Sequence, residues 1–355
     1  MNTHRIISVL VAAGLSAPAA AQDHGHAAGG FDFGALAASL QQSDLTPGYV
    51  LIEGDIQVPL AQYMAVLAGT PPEAIFGDAT FWPGGVVPYD FVTSGGGAVS
   101  AANQAAAVAA MNTIRTHADV GFRPATGADP NRIRFQNSGF NNSPVGVQGG
   151  VQIINITSWG NQIVICHELY HALGFWHEQS RPDRNTFITV NTANICGSGS
   201  SSACIASQCC LCNACGSCLS NFSIHTGTLI YGAYDFDSFM HYGPFDFSCN
   251  GMATITVNPP YTATIGQRDH FSYYDSVSCR GVYPFPSDRW WKPGHPGTGA
   301  GTLPNPLTQS TFGAAYSATP AGGTLFIRDS GGYAAVGTYS KAMTIKSPLG
   351  ATLGN

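Results

Sequence analysis

The sequence predicts an α+β fold, and three observations carry that prediction. Ala101 to His117 is rich in alanine and free of glycine and proline, so it reads as a helix. Asn161 to Phe175 carries two histidines four residues apart and reads as a second helix, which Gly174 allows the chain to leave. Around them lie short apolar runs bounded by turn residues, at Ile133 to Gln136, Val151 to Ile156 and Phe187 to Val190, which read as strands.

Taken in order, the N-terminus reads as an export signal. Arg5 supplies a short positive region and Ile6 to Leu15 an apolar run too short to span a bilayer. Ala19-Ala20-Ala21 offers small residues for cleavage near Gln22, so residues 1–21 are expected to be removed. Residues 22–45 are weakly patterned, and His24 and His26 belong to a solvated tail. Tyr49 to Leu67 is apolar with a Gly54-Asp55 turn inside it. Trp82-Pro-Gly-Gly-Val-Val-Pro-Tyr89 reads as a turn feeding a strand. From Pro284 the composition changes. Pro293 to Pro304 is rich in glycine and proline and reads as a linker. Beyond it, Gly322 to Arg328 and Met343 to Lys346 are short β runs that resemble the opening coil of a right-handed parallel β-helix.

Charge and cysteine usage narrow the class. Only 10 % of the 355 residues are charged and the formal net charge is −6, which leaves no basic footprint for nucleic acid and no basic stripe for a membrane surface. No stretch after the export signal is long and apolar enough for a membrane anchor. None of the ten cysteines precedes Cys166, and those from Cys196 to Cys218 crowd into one segment. An oxidising compartment favours disulfides there, while the overlapping CxxC spacings at Cys209 to Cys218 also suit a thiolate metal site. Asn155-Ile-Thr157 and Asn221-Phe-Ser223 are glycosylation sequons.

The chemistry concentrates in His167-Glu168-Leu-Tyr-His171-Ala-Leu-Gly174-Phe-Trp-His177-Glu178. On a helix His167 and His171 project from one face, and Glu168 beside them can reach a metal-bound water. After Gly174 the chain can turn and bring His177 to the same metal. Three imidazoles with one open position make a hydrolytic zinc site, not a structural one.

These residues continue into a longer pattern. His177-Glu178-Gln-Ser-Arg181-Pro-Asp183-Arg184, then Tyr234-Asp-Phe-Asp-Ser238-Phe-Met240-His241-Tyr242, then Ile265-Gly-Gln-Arg268 with Ser272 and Asp275, resemble the motif blocks of the astacin metalloproteases in the metzincin group. Asn185 stands where that pattern has a last aspartate. The resemblance covers about residues 50 to 285. It implies a two-subdomain zinc protease with the active-site helix at the cleft, and one zinc per catalytic domain held by His167, His171 and His177. It implies Glu168 as general base on the zinc-bound water and Tyr242 as a ligand at rest that turns to stabilise the oxyanion. Met240 then forms an apolar floor, His241 is structural, and Glu178 receives the new N-terminus. Leu51-Ile-Glu-Gly-Asp55-Ile56 is similar to the segment of astacin propeptides whose aspartate reaches the metal. Asp55 is thereby implied as the zinc ligand of a latent form, with a plain Gly-Asp turn as the alternative reading.

The expected organisation is a signal peptide at 1–21, a propeptide at 22–72 and a catalytic domain at 73–285 with a Cys-rich insertion at about 196–220. A linker at 286–310 and a small β-rich tail at 311–355 follow. The mature start is expected near Glu73 or Ala74. No lysine or arginine lies between Arg5 and Arg115, so a trypsin-like enzyme cannot release the propeptide; self-cleavage or a protease of other specificity must. The three cysteines that the family places before its metal motif are missing, and Cys166, Cys249 and Cys279 are left either buried or bridging to other parts of the chain. Protein or peptide substrates are expected to add as a strand along Val151 to Ile156. The expected function is a secreted zinc endopeptidase made as a zymogen. The alternative is a secreted surface or binding protein whose protease-like domain is an adapter.

Overall fold

The computed structural model describes residues 45–67, 81–195 and 218–354, apart from 227, 229, 231, 297, 298, 303, 304 and 349. The expected signal peptide, His24, His26, the expected start near Glu73 and all of the Cys-rich segment before Cys218 lie outside those residues. Cys218 itself is disulfide-bonded.

The described chain begins with a hairpin, β1 (Tyr49–Ile52) antiparallel to β2 (Ile56–Pro59), followed by α1 (Leu60–Leu67). Trp82 leads through a short 3-10 turn, Pro83–Gly85, into β3 (Val86–Phe91). Ser100 caps α2 (Ala101–His117) by accepting from the backbone N–H of Asn103. Then come β4 (Gly121–Pro124), β5 (Arg132–Asn137), β6 (Ser143–Pro144) and β7 (Val151–Ile156). Strands β3, β4, β5 and β7 form one parallel sheet in the order β4-β3-β5-β7. Asn161 opens α3 (Gln162–Leu173) by accepting from the N–H groups of Ile163 and Val164.

The alanines that mark α2 in sequence also decide its packing. Ala107, Ala110, Met111 and Ile114 recur at three- and four-residue spacing and form its buried face. They join Ile133, Phe135 and Ile154 of the sheet and Ile165, Leu169 and Leu173 of α3 in one core. Small side chains on that face let α2 and α3 lie against each other. Each large apolar side chain buried this way contributes roughly 1.5–3 kcal/mol. The helix that carries the histidines is therefore wedged between a sheet and a second helix.

Below this layer β8 (Ile188–Val190) pairs antiparallel with β9 (Ile255–Val257) over a second core containing Phe222, Tyr234 and Tyr242. Helix α4 (Tyr273–Val282) follows, opened by a reciprocal capping box between Ser272 and Asp275. The C-terminal part comprises β10 (Arg289–Trp291), α5 (Phe312–Ala318), β11 (Thr324–Ile327), β12 (Gly332–Ala334), β13 (Thr344–Lys346) and β14 (Thr352–Gly354). All its strand pairs are parallel: β10-β11-β13 in one sheet and β12-β14 in the other. Thr324 pairs with Thr344 and Gly332 with Thr352, so both ladders advance by the same offset along the chain. Among the described residues no helix is long and apolar enough to cross a membrane.

Four expectations differ from this architecture. The stretch 286–310, expected as a linker, carries β10, and Trp290 and Trp291 within it are fully buried. Side chains alternate along a strand; Trp290 stacks on Phe326 while Trp291 faces Phe312 and Tyr333. The tail also holds a helix, α5, that its glycine-rich composition concealed. Strand β7 is not free to receive a peptide, because Asn142 exchanges both backbone hydrogen bonds with Asn155. The backbone groups of Ile153 are taken by Gln57 and Thr46, and β6, which follows the Asn142 bridge, pairs with β2 of the hairpin. Finally, Asn155 is fully buried and its amide donates to Asn142 Oδ1, which closes that sequon to a glycan. Cys166, Cys249 and Cys279 are buried free thiols, so the bridge from the metal helix to the C-terminal half is not made.

Candidate metal centre

Three elements deliver the site. Helix α3 is buried from Ile165 to Leu173 and presents His167 and His171 from one face. Gly174 ends it in the left-handed region at φ 107°, a conformation that costs other residues a steric penalty. The chain then reverses and places His177 beside the first two. From the other side the β1–β2 turn inserts Asp55, and the four residues Asp55, His167, His171 and His177 bring their ligand atoms within 4.8 Å of one another.

The hydrogen bonds fix the tautomers. His167 Nδ1 donates to the carbonyl of Phe239 at 2.9 Å and His171 Nδ1 to that of Phe175 at 2.8 Å. His177 Nδ1 donates to Glu53 Oε2 at 2.7 Å. A carbonyl or carboxylate oxygen only accepts, so each Nδ1 carries its proton. Burial holds His167 down to about 4 and drives His171 well below the ordinary histidine value, so both rings are neutral. Their Nε2 lone pairs nonetheless face each other at 3.2 Å, with no proton to share. Asp55 Oδ2 stands 3.2 Å from His167 Nε2 and 3.3 Å from His177 Nε2, and Asp55 Oδ1 has no hydrogen-bond partner among the described residues. Against the cost of burial, the charges of Asp55 and Glu53 lift His177 to about 9.

These donors fit zinc. Tetrahedral Zn–N bonds of about 2.0–2.1 Å place two ligand nitrogens roughly 3.3 Å apart, against the 3.2 Å between His167 Nε2 and His171 Nε2. The Nδ1 bonds are the outer contacts that orient metal-binding imidazoles. Glu168 is buried beside them; its Oε2 finds no partner among the described residues, and burial together with the Asp55 charge pushes its carboxyl well above the usual range.

The other predicted residues surround this cluster. Tyr242 is buried with its ring 4.7 Å from that of His177, and its hydroxyl donates to the carbonyl of Glu53. Met240 is buried in the main core, and its carbonyl accepts from the N–H of Glu178 at 3.0 Å. Glu178 Oε1 accepts from Arg181 and from the backbone N–H of Asp235, and burial pushes its carboxyl up to about 7. His241 is satisfied at both nitrogens, by Tyr234 and by the carbonyl of Tyr242. Asp275 accepts from Ser238 Oγ and from the N–H of Phe239, tying α4 to the segment beneath the histidines.

Sequence reasoning missed three participants. Glu53 is buried and receives His177 Nδ1, Ser180 Oγ and His225 Nε2. His225 stands in no motif, and Ser180, though inside the block that begins at His177, has no role marked there; only the folded chain puts them together with Glu53.

Three buried imidazoles on a helix and the turn after it, with a carboxylate reaching in from the β1–β2 turn, define a zinc centre. The sequence profile of the astacin family, a peptidase family, matches residues 75–203 and 217–284. The chain belongs to the astacin family. It is 32 % identical over 206 residues to zinc metalloproteinase nas-15 of Caenorhabditis elegans, covering 58 % of this chain and 32 % of that protein. It is also 32 % identical over 166 residues to embryonic protein UVS.2 of Xenopus laevis, covering 46 % and 28 %. The chain thus spans about a third of the length of these relatives. Among solved structures, the hatching enzyme zinc-protease HCE-1 of Oryzias latipes aligns with 58 % of this chain and 94 % of its own, at 28 % identity and a TM-score of 0.47.

Proposed function

We propose that the chain is a secreted zinc-dependent endopeptidase made as a zymogen. The observation that carries this reading is the convergence of three Nε2 atoms whose rings have committed every Nδ1 proton elsewhere. The name of nas-15, a zinc metalloproteinase, supports the same chemistry.

His167, His171 and His177 hold the zinc. When bound, it polarises a peptide carbonyl and brings the acidity of water near neutrality. Glu168 takes a proton from the attacking water and passes it to the leaving amine. Its raised affinity for a proton suits that exchange, and departure of Asp55 removes part of the charge that raises it. In this state Asp55 blocks the cluster and the Glu53 carbonyl holds the Tyr242 hydroxyl. Once the hairpin leaves, Tyr242 becomes the resting ligand and then a donor to the developing oxyanion. Glu178 receives the new N-terminus near Glu73, and peptide substrates add to β6 in place of β2. Residues 1–21 act as signal peptide, 22–72 as propeptide and 73–285 as catalytic domain. We further infer that the parallel ladders after Pro286 are the opening coil of a β-helix; the offset that β11–β13 and β12–β14 share supports it.

The test is casein hydrolysis by the processed protein, with Glu168→Gln and a chelator as controls. The variant is expected to keep its zinc by metal analysis and lose about 10²–10⁴-fold in kcat. Undiminished hydrolysis in Glu168→Gln or after metal removal sinks the reading. A processed, zinc-loaded but inert wild-type protein favours the binding-protein alternative.

A further inference from the structure

The β1–β2 turn brings two carboxylates into the cleft, and of the two Asp55 joins the converging ligand atoms of the histidines. Glu53, two residues earlier, goes to a different place. Its side chain is 1 % exposed. One oxygen, Oε2, accepts from His177 Nδ1 at 2.7 Å and from Ser180 Oγ at 3.2 Å. The other, Oε1, accepts from His225 Nε2. The His225 ring lies 4.5 Å from that of Trp176, and its backbone N–H donates to the carbonyl of Ser180 at 2.8 Å, which fixes the donor's position. Glu53 also adopts φ 49°, a left-handed conformation that a glutamate enters only when held. Gly54 next to it, at φ 77°, lies over Phe247, whose ring a Cβ there would meet at 2.5 Å.

A carboxylate taken out of water costs several kcal/mol unless its lone pairs are filled. Here three side-chain donors from two separate segments, His177 and Ser180 on one and His225 on the other, converge on it. A turn that served only to carry Asp55 would need none of them.

We propose that this is a second carboxylate-binding site, formed by His177 Nδ1, Ser180 Oγ and His225 Nε2, whose ligand is the side chain of Glu53. The site makes Glu53 a second lock on the hairpin beside Asp55, the two carboxylates holding opposite nitrogens of His177. It also couples the hairpin to the segment that resumes after the Cys-rich stretch, because His225 is on that segment. The inference rests on the zymogen reading only for its biological purpose; the site itself stands on the contacts.

The experiment uses the zinc-loaded full-length chain and reads hydrogen exchange of the hairpin amides at Tyr49 to Pro59. Four variants are compared: Glu53→Gln, His225→Asn, the two together, and Glu53→Gln in an Asp55→Ala background. A buried, charge-assisted bond corresponds to roughly 10-fold or more in opening. Each single variant is therefore expected to speed hairpin exchange about 10-fold, and the double no more than the larger single. Read against Asp55→Ala alone, adding Glu53→Gln is expected to speed exchange further, because Ser180 and His225 hold Glu53 without touching Asp55. Exchange within about 2-fold of wild type in Glu53→Gln, or single effects that multiply in the double, overturns the proposal. His225→Gln serves as the second variant if His225→Asn fails to fold. Exchange reports on the site whether or not any form hydrolyses casein, so failure of the enzymatic reading leaves a different signature.

Discussion

The β1–β2 hairpin and the C-terminal parallel strands both lie on the same central body, and different physics holds each. The hairpin rests mainly on directed polar bonds. Gln57 Nε2 donates to the Ile153 carbonyl at 2.8 Å and to Asn142 Oδ1 at 2.7 Å, while its Oε1 accepts from the N–H of Thr46. Thr46 Oγ1 in turn accepts from the N–H of Ile153. The apolar share is Val50, Ile56 and Val58 against Val145, with Ile52, Leu60, Tyr63 and Trp176 partly buried around them and no large ring fully enclosed. The C-terminal strands rest on Trp290 stacked 4.3 Å from Phe326 beside Val277, and on Arg280 bidentate to Asp288, whose carboxylate is fully buried. Polar bonds net about 1 kcal/mol each because water replaces them. Apolar surface re-exposed to water costs roughly 25 cal/mol per Å². The first attachment is suited to leaving and the second to staying.

The largest effect that could break this contrast is on the second side. Trp290→Ala is expected to cost about 4 kcal/mol by urea unfolding; a loss near 1 kcal/mol would mean the strands are loosely attached after all. Asp288→Ala leaves Arg280 facing an empty acceptor and should cost about 3 kcal/mol, with Asp288→Asn intermediate. Asp275, on the body itself, gives a pH signature. Burial pushes it up to about 6 from 3.8, with Ser238 and the backbone of Ser272 and Phe239 opposing and Asp235 adding to the rise. The folded chain therefore binds this proton more tightly than the unfolded chain. That stability is complete below about pH 4 and is lost as pH rises through 6. In Asp275→Asn the decline in unfolding free energy between pH 4 and 7 should shrink by on the order of 2 kcal/mol. The smallest effect sharpens the first side. Gln57→Ala in the unprocessed chain should lower global stability by about 1 kcal/mol while speeding hydrogen exchange at Ile153; an unchanged rate there would show that the clamp is incidental.

What was legible in sequence follows from distance along the chain. His167 and His171 are one helical turn apart, and His177 follows after a glycine, so a local pattern revealed them. Asp55 was legible as a Gly-Asp turn within a familiar segment. The Glu53 site was not, because its donors lie 124, 127 and 172 residues away. The clamp at Gln57 bridges 96 residues to Ile153 by a side-chain amide, which leaves no periodic trace. In the fold, α2 and α3 were visible from composition and spacing. Strand β10 was hidden because glycine and proline dominate the stretch after it. The adjacent Trp290 and Trp291 were its signal: two large rings facing opposite ways require cover on both sides.

Gln57 and Thr46 have a consequence beyond the attachment of the hairpin. Together they occupy the N–H and C=O of Ile153, while β2 covers β6. Without the hairpin these groups form a bare sheet border, the kind of template on which a neighbouring chain adds a strand of its own. With the hairpin in place that border is covered, and another chain has no open edge there on which to add a strand.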